Sequence, residues 1–457
     1  MKHLLTVLVL ALVMANAFVA ASPRHSHDVK SRGYKYQRQK GVGRKVKGNG
    51  HSTSAPPPPP PPPQSDDYDP HSRTFDITSF GAKGDGVTDD SKALQAAWRA
   101  ACVVPSATIK IPSESKFLIR PIDGTILASS QLGDWSKSTL LQWVNFKWLN
   151  EFTITGSGTV DGQGSAWWNM TQDHHHPKVS NCIHIKMHED RCYALRFYGS
   201  CNVTVRDIRI LNSPQCHLKF DSSEGVKVTN ITISSPGSSP NTDGIHIQQT
   251  QDVQIEHSDI GCGDDCVSIQ AGCSNVHVHN INCGPGHGIS LGGLGKDNSL
   301  ACVSNITVED VSIRNALYGV RIKTWQGGIG SVRNVTFTGV QVSEVETPIV
   351  IDQYYCNKKS CKNQTDAIAI TGVKYKQITG TYSWQPMHIA CSDSTPCTNV
   401  DLVDVQLSPS SDSASLHDAL CWKSYGDSKG LILPFNIDCL QRGNKLFRAL
   451  ESHKYSC

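Results

Sequence analysis

Four short polar motifs carry the residue types that perform acid and base chemistry. Together they supply three adjacent or nearby carboxylates, one histidine and two cations. Hydrolysis of a glycosidic bond needs one protonated and one ionised carboxyl group, and crowding of like charges raises the pKa of one member of such a group. Arg and Lys bind anionic groups, so the set suits cleavage of an acidic sugar chain. The motifs are Asn241-Thr242-Asp243-Gly244, Gly263-Asp264-Asp265-Cys266, Gly286-His287-Gly288 and Arg321-Ile322-Lys323.

Each motif precedes or overlaps a short stretch of strand-like residues. The spacings between the first residues of these stretches are 22, 22 and 31 positions. Asp243, Asp265 and His287 each stand two residues before their own stretch. A repeat of this length is typical of a solenoid in which each repeat is one coil. Stacked coils would place these side chains in one column, about 4.8 Å apart. The stretches begin at Ile245, Val267, Ile289 and Val320.

A second series of stretches interleaves with the first, so each coil contains at least two short strands. Val and Ile alternate with polar residues, which predicts an inward apolar face and an outward polar face. Preserved register over five or six coils favours a parallel β-helix over a β-sandwich, and strand-connection chirality favours right-handed coiling. The second series begins at Val203, Val226, Val253, Val276, Ile306 and Val335.

The sequence predicts three segments along the chain. Residues 1–21 have the pattern of a signal peptide, with Lys2 ahead of the apolar run Leu4 to Met14. Residues 22–72 form a basic arm and a stiff polyproline linker of eight prolines, Pro56 to Pro63. Residues 73–457 form an all-β catalytic domain, in which a helix over Asp89–Cys102 caps the open end of the coils.

These features predict an exported protein without a membrane span after signal removal, since no later apolar run approaches about 20 residues. Residues 23–50 hold nine basic residues against one acid. This arm is either a solvated tail or propeptide, or an electrostatic attachment to an acidic wall polymer. We expect a monomer with no nucleic-acid partner. Six glycosylation acceptor triplets begin at Asn169, Asn202, Asn230, Asn305, Asn334 and Asn363.

The 17 cysteines suit an oxidising compartment and show no metal-ligand spacing. The spacing predicts local disulfides within the pairs Cys356/Cys361 and Cys391/Cys397. An odd total leaves at least one thiol unpaired or paired between molecules. Three further cysteines are candidates to tie down the C-terminal tail: Cys421, Cys439 and Cys457.

Two other sets of residues have competing interpretations. His174-His175-His176 has metal-binding residue types, but three adjacent histidines cannot all point one way, which favours a plain loop. Trp167-Trp168 is a candidate for stacking on sugar rings, yet paired aromatics more often cover the edge of a core.

The four motifs, in this order, resemble the signature motifs of the polygalacturonases, glycoside hydrolases that cleave pectin. The chain is similar to plant members from about Phe75 to its C-terminus. The resemblance implies a right-handed parallel β-helix and metal-independent, inverting hydrolysis of α-1,4 bonds between galacturonic acid units. It implies no cofactor, and it implies pectin as the partner in a cell wall. Gly293 departs from the family pattern, where a serine is common.

The resemblance also implies roles for individual residues. Asp264 would be the general acid, Asp243 and Asp265 would position and activate water, and His287 would support protonation of the acid. The substrate carboxylates would be held by Arg321, Lys323 and Tyr355, with Asn241 as a further binding residue.

Other functions remain as alternatives. A pectate lyase would use the clustered acids to bind calcium, and a related hydrolase would prefer a rhamnogalacturonan or xylogalacturonan backbone. A catalytically silent wall-binding protein would only grip pectin, although every acid position of the motifs is filled.

Overall fold

The structure is a computed structural model. It describes residues 7–11, 74–101, 108–112, 115–119, 124–131, 142–169, 193–356, 363–364, 367–411, 416–442 and 457. The predicted arm and linker at 22–72 lie outside the described residues, as do His174-His175-His176. Of the predicted signal peptide, only the strand Val7–Ala11 is described. The three-segment division of the chain therefore stays a prediction.

One sheet of the described chain contains ten parallel strands that follow one another in chain order. Each strand pairs with the strand of the coil before it and with that of the coil after it, as expected for a parallel β-helix. This sheet carries the four motifs, and we call it the motif sheet. Its strands are Gln142–Lys147, Tyr193–Tyr198, Leu218–Asp221, Ile245–Gln248, Val267–Ile269, Ile289–Leu294, Tyr318–Trp325, Thr347–Tyr355, Met387–Ala390 and Leu420–Trp422.

A larger sheet of sixteen strands in the described residues completes the coils. Twelve strands follow one path, and four short ones pair alongside it. The path is Asp85–Asp89, Lys116–Ile119, Asn150–Ile154, Cys201–Arg206, Glu224–Thr229, Gln251–Gly261, Ser274–Cys283, Leu300–Arg314, Ile329–Val345, Ala369–Tyr382, Thr398–Pro409 and Ser428–Leu433; the short strands are Thr125–Leu127, Thr159–Asp161, Arg209–Leu211 and Thr232–Ser234.

The register confirms both series of predicted stretches. In the motif sheet Ile245 pairs with Val267, Val267 with Ile289, and Ile289 with Val320. In the larger sheet the six predicted starts, from Val203 to Val335, pair in unbroken succession. The sequence period therefore converts directly into stacked positions.

Inward side chains stack in columns that form one continuous core. Phe146, Phe197 and Phe220 occupy aligned positions on three coils, with ring centroids 4.8 and 5.1 Å apart. Trp167 and Trp168 are buried as well, and the Trp168 indole donates to the Ser213 carbonyl. The interpretation of this tryptophan pair as core is therefore confirmed.

A helix covers the first coils, as predicted. It spans Ser91–Ala101, slightly shorter than the predicted Asp89–Cys102, and buries Ala93, Ala97 and Ala101 against the core. Beside it, strand Thr108–Pro112 pairs with Thr74–Asp76 and antiparallel with Val7–Ala11. No helix in the described part of the chain is long and apolar enough to cross a membrane. The remaining helical turns are Ser165–Asn169, Ile77–Phe80, Lys296–Asn298 and Phe435–Ile437.

Strands of the larger sheet contain asparagines in the left-handed conformation, a local bend of the backbone that Asn tolerates better than most residues. Asn275, Asn305 and Asn334 have φ values of 55°, 58° and 53°. Their side chains form a ladder in which Asn334 donates to Asn305 and Asn305 donates to Asn275, at 2.8 and 3.0 Å. Asparagine at these positions therefore both permits the bend and ties neighbouring coils together.

The cysteines partly follow the predicted pairing. Cys391 bonds to Cys397 as predicted, and Cys421 and Cys439 bond to each other. The C-terminal Cys457 bonds to Cys302, a partner that the sequence did not indicate. Cys356 is disulfide-bonded, but Cys361 lies outside the described residues. The described residues also include an unforeseen Cys266–Cys283 bond and free thiols at Cys201, Cys216, Cys262 and Cys273.

The stacked phenylalanines give a test of the core. Phe197 is fully buried between two rings, so Phe197→Ala should lower the free energy of unfolding by about 3–5 kcal/mol. Phe197→Leu, which leaves a smaller cavity, should cost less than half as much. Chemical denaturation monitored by tryptophan fluorescence measures both. Equal, small losses for the two variants would show that this stack does not support the coils.

Candidate active site

The first three motifs lie at one edge of the motif sheet, at the turns that lead into neighbouring strands, and the fourth lies within the strand Tyr318–Trp325. Their register places the residues before Ile245, Val267 and Ile289 on successive coils. Glycine is required at position 263, because a Cβ atom there would overlap the carbonyl oxygen of Ser239. This close backbone approach brings Asp264 and Asp265 next to the coil that carries Asp243.

Asp265 is the electrostatic centre of the site, with a side chain only 2% exposed. Its Oδ1 accepts hydrogen bonds from Arg321 Nη2 at 2.6 Å and from Ser290 Oγ at 2.7 Å. Its Oδ2 accepts one from Lys323 Nζ at 2.8 Å. Two cations therefore share one buried carboxylate, which balances the cost of burying it. Arg321 and Lys323, predicted to bind substrate carboxylates, contact Asp265 in the ligand-free structure.

Ser290 and Tyr318 hold Arg321 in place. Arg321 Nε donates to Ser290 Oγ at 3.0 Å, and the guanidinium carbon lies 4.1 Å from the centre of the Tyr318 ring. Neither residue was among the predicted site residues. Tyr318 stands two residues before Val320, the position that Asp243, Asp265 and His287 occupy in their coils. That shared position was a signal that could have identified it.

Asp264 forms a pair with His287. His287 Nδ1 lies 2.9 Å from Asp264 Oδ1, and the backbone N–H of Asp265 donates to the same oxygen at 2.9 Å. Burial opposes ionisation of Asp264, but the hydrogen bond from His287 and the charges of Lys323 and Arg321 outweigh it. They lower the pKa of Asp264 to about 2. In the free site Asp264 is therefore ionised.

Asp243 has the opposite electrostatic character. Burial, together with the negative charges of Asp264 and Asp265, raises the pKa of Asp243 well above its ordinary value. Its Oδ2 lies 3.0 Å from His246 Nδ1, and burial together with the nearby Lys219 lowers the pKa of His246 to about 3. A protonated Asp243 can thus donate to a neutral His246. Of these two aspartates, Asp243 therefore has the stronger tendency to hold a proton.

The two remaining predicted residues also lie at the site. Asn241 donates to Asp264 Oδ2 at 3.3 Å, and the Tyr355 ring centre lies 5.5 Å from Lys323 Nζ. A cavity of about 200 Å3 is lined by Asn241, the three aspartates and Lys323, among others. The structure therefore brings all eight predicted residues together. Their predicted roles are a separate matter and stay proposals.

Asp264, Asp265 and His287 also lie close enough to offer ligand atoms to a metal, within 4.8 Å of one another. The donor set does not suit calcium, which takes six to eight oxygen ligands. Both oxygens of Asp265 already accept from cations, so Arg321 and Lys323 occupy the place where a metal ion would be and would repel it.

Sequence comparison gives the family directly: residues 103–421 match glycosyl hydrolases family 28, and the chain belongs to this family.

Plant relatives support the assignment over most of the chain. A probable polygalacturonase of Arabidopsis thaliana is 38% identical over 379 residues, which cover 79% of this chain and 83% of the relative. Polygalacturonase-2 of Solanum lycopersicum is 38% identical over 353 residues, covering 73% and 75% respectively.

Solved structures agree on the fold. A polygalacturonase of Erwinia carotovora superposes with a TM-score of 0.56 at 21% identity, covering 75% of this chain and 94% of that one. An endo-xylogalacturonan hydrolase of Aspergillus tubingensis gives a TM-score of 0.58 at 20% identity, covering 78% and 98%. These likenesses establish the right-handed parallel β-helix.

The opposite pKa shifts of Asp243 and Asp264 predict opposite stability effects of two matched substitutions. A raised carboxyl pKa disfavours folding increasingly as pH rises above the unfolded value of 3.8. A lowered pKa contributes stability that is present above 3.8 and lost as pH falls through about 2. At pH 7, Asp243→Asn should raise the free energy of unfolding and Asp264→Asn should lower it.

Thermal unfolding from pH 3 to pH 8 measures both effects. The gain from Asp243→Asn should shrink as pH falls towards 4, whereas the loss from Asp264→Asn should persist there and shrink only at lower pH. Stabilisation by both variants at pH 7 would contradict the assignment of the ionised carboxyl to Asp264.

Proposed function

We propose that this protein is a secreted polygalacturonase that hydrolyses α-1,4-galacturonosyl bonds of homogalacturonan by a metal-independent, inverting mechanism. The observation that carries the proposal is the cluster of Asp243, Asp264 and Asp265 beside two buried cations, in which the pKa of Asp243 is raised and the pKa of Asp264 is lowered. The plant relatives named as polygalacturonases support the substrate class.

An anionic sugar suits the charge distribution of the groove. Beyond the motifs, Lys219 lies on the same outward column of the motif sheet as His246 and Arg321. Lys219 and Lys323 both line the cavity that holds the acids. A galacturonate carboxylate placed between these lysines gains attraction from both, and a neutral sugar gains none.

The proposed reaction needs the proton on the group that faces the leaving oxygen. In the free site Asp243 carries it, and Asp264 is ionised. Binding of an anionic sugar adds negative charge and removes water, and both changes raise the pKa of Asp264. We propose that the proton resides on Asp264 in the complex. Asp264 then protonates the glycosidic oxygen, while ionised Asp243 and Asp265 activate the attacking water.

The proton distribution of the free site alone favours the reverse assignment, with Asp243 as acid and Asp264 as base. His287 contacts Asp264 in either case. The two assignments make different predictions for a substrate whose leaving group needs no proton. Only the variant that lacks the general acid should still cleave such a substrate.

Other substrate backbones remain second candidates. A rhamnogalacturonan or xylogalacturonan hydrolase would use the same acids on a different chain. A silent pectin-binding protein is less well supported, because the proton-bearing and ionised carboxyls needed for hydrolysis are both present.

We also propose that the protein acts in the cell wall. The N-terminal apolar run, the disulfides and the acceptor triplets support export. Among the described residues, Asn202, Asn230, Asn305, Asn334 and Asn363 are exposed, and the Nδ2 atoms of Asn230, Asn305 and Asn334 donate hydrogen bonds to neighbouring coils. The basic segment 23–50 would add electrostatic attraction to an acidic polymer.

Asp264→Asn tests the proposed acid. On polygalacturonate the variant should lose at least about a hundredfold in kcat, because proton donation is lost. On an aryl galacturonide with a nitrophenyl leaving group it should keep most of the wild-type rate. Asp243→Asn should be inactive on both substrates. Rescue of Asp243→Asn, and not of Asp264→Asn, by the aryl substrate would reverse the roles of the two acids.

A chelator tests the lyase alternative. Activity on polygalacturonate should be unchanged by EDTA, and the products should be new reducing ends without ultraviolet absorbance from unsaturated sugars, since Arg321 and Lys323 already neutralise Asp265. Parallel assays on rhamnogalacturonan and xylogalacturonan serve as substrate controls. Loss of activity in EDTA, restored by calcium, would favour the lyase.

A further inference from the structure

The outward columns of the motif sheet continue past the catalytic coils in both directions. Pairing carries the column of Lys323 through Asp352 and Ala390 to Trp422. In the other direction the column of His246 continues through Lys219 to Arg196. The face that presents the site therefore extends over coils that hold none of the four motifs.

The end before the site is cationic. Arg196 Nε and Lys219 Nζ contact the two oxygens of Asp221 at 2.6 and 3.6 Å. Two cations share one carboxylate, as Arg321 and Lys323 share Asp265, so this end keeps a net positive charge. It suits ionised galacturonate.

The end beyond the site is aromatic and acidic. Trp422 is 49% exposed, and its indole N–H donates to Asp393 Oδ1 at 3.2 Å. The Tyr354 hydroxyl donates to Asp393 Oδ2 at 3.3 Å. Two neutral donors thus fix this carboxylate, and among the described residues it has no cation within ion-pair distance.

A second exposed tryptophan borders the same end. Trp384 is 45% exposed and its ring lies 3.8 Å from that of His417. Strand pairing places Met387 in the same row as Val267. Trp384 stands three residues before Met387, and Asp264 stands three residues before Val267. Trp384 therefore continues the edge that carries the acids, and Trp422 continues the face that carries Lys323.

We propose that Trp422, together with the Asp393 and Tyr354 side chains that border it, forms a distal sugar-binding subsite, which takes a galacturonosyl unit whose carboxyl group is methyl-esterified. The proposal rests on the proposed function and deepens it. An exposed indole held by a hydrogen bond offers a rigid face for the apolar side of a sugar ring. The uncompensated Asp393 disfavours a second carboxylate beside it, and a methyl ester removes that repulsion.

The subsite lies within reach of a bound polymer chain. Trp422 is three strand spacings from Lys323, about 14 Å, a span of a few sugar units. The surface between them is continuous, since Tyr355 contacts Lys323 and the adjacent Tyr354 contacts Asp393. One chain can thus place ionised units near Arg196 and Lys219 and an esterified unit at Trp422.

Lys423 is the nearby group that could reverse this preference. Its Nζ lies 5.7 Å from the centre of the Trp422 ring. If Lys423 recruited a substrate carboxylate, the subsite would prefer ionised sugar. The charge change Lys423→Gln therefore belongs in the test.

The test compares kcat/KM on two long oligogalacturonides: one with all carboxyl groups free, and one methyl-esterified only at the units that reach Trp422, so that ionised units remain for Arg196 and Lys219. Trp422→Ala should lower kcat/KM by about fivefold on the esterified oligomer. Asp393→Asn, which keeps an acceptor oxygen and removes the charge, should raise kcat/KM on the free oligomer by about threefold and leave the esterified value unchanged. Phe435→Ala is the matched control, since Phe435 is 82% exposed and lies outside the motif sheet.

Three outcomes would overturn the subsite: a Trp422→Ala variant as active as the Phe435→Ala control, an unchanged substrate ratio in Asp393→Asn, or weaker use of the free oligomer by Lys423→Gln. If the wild type hydrolyses neither oligomer, the proposed function fails, and calorimetric binding decides the subsite separately. The subsite proposal would stand if the wild type binds the esterified oligomer and the Trp422→Ala variant does not. Absence of binding, or equal binding by both proteins, would refute it.

Discussion

The hydrogen-bonded register between successive coils is the constraint on which the chemistry of this protein depends. Parallel pairing holds Ile245, Val267, Ile289 and Val320 in one row. Residues that are 22 or more positions apart in the chain thereby become neighbours about 4.8 Å apart. A shift of one residue in any strand would turn its site residues into the core. The alternation of buried and outward residues prevents that shift, so the core that stabilises the coils also aligns the acids.

The three aligned aspartates repel one another when ionised, and the surrounding residues compensate their charges to different extents. Asp265 is neutralised by Arg321, Lys323 and Ser290, and Asp264 is stabilised by His287. Asp243 lies against His246, whose own pKa is lowered, and burial together with the two neighbouring carboxylates raises the pKa of Asp243. Crowding three carboxyls against two buried cations thus produces carboxyl groups of different protonation. Catalysis by a carboxyl pair needs that difference, and it costs stability at Asp243.

The repeat spacing allowed both the fold and the residues of the site to be predicted from the sequence. Both series of strand starts, the capping helix and the eight site residues follow from spacing or from motifs. The spacing does not predict which side chains of the cluster contact one another. Arg321 could face either Asp265 or solvent, and its contacts with Ser290 and Tyr318 decide between the two. The Cys302–Cys457 bond could not be predicted for a related reason. It joins residues 155 positions apart, and the repeat spacing does not relate these two positions. Sequence period determines which residues are near one another, whereas side-chain packing determines which contacts form.

A solenoid also lets binding and catalysis vary independently. Each coil contacts mainly its two neighbours, and sites more than about 7–10 Å apart usually contribute additively. Trp422 lies three coils from Lys323, so a change there alters the surface offered to the polymer without disturbing the acids. The paired cations at Asp221 repeat the arrangement at Asp265 on coils where no acid chemistry occurs. In the proposed function, two cations on one carboxylate support catalysis at Asp265 and charge recognition at Asp221, on different coils.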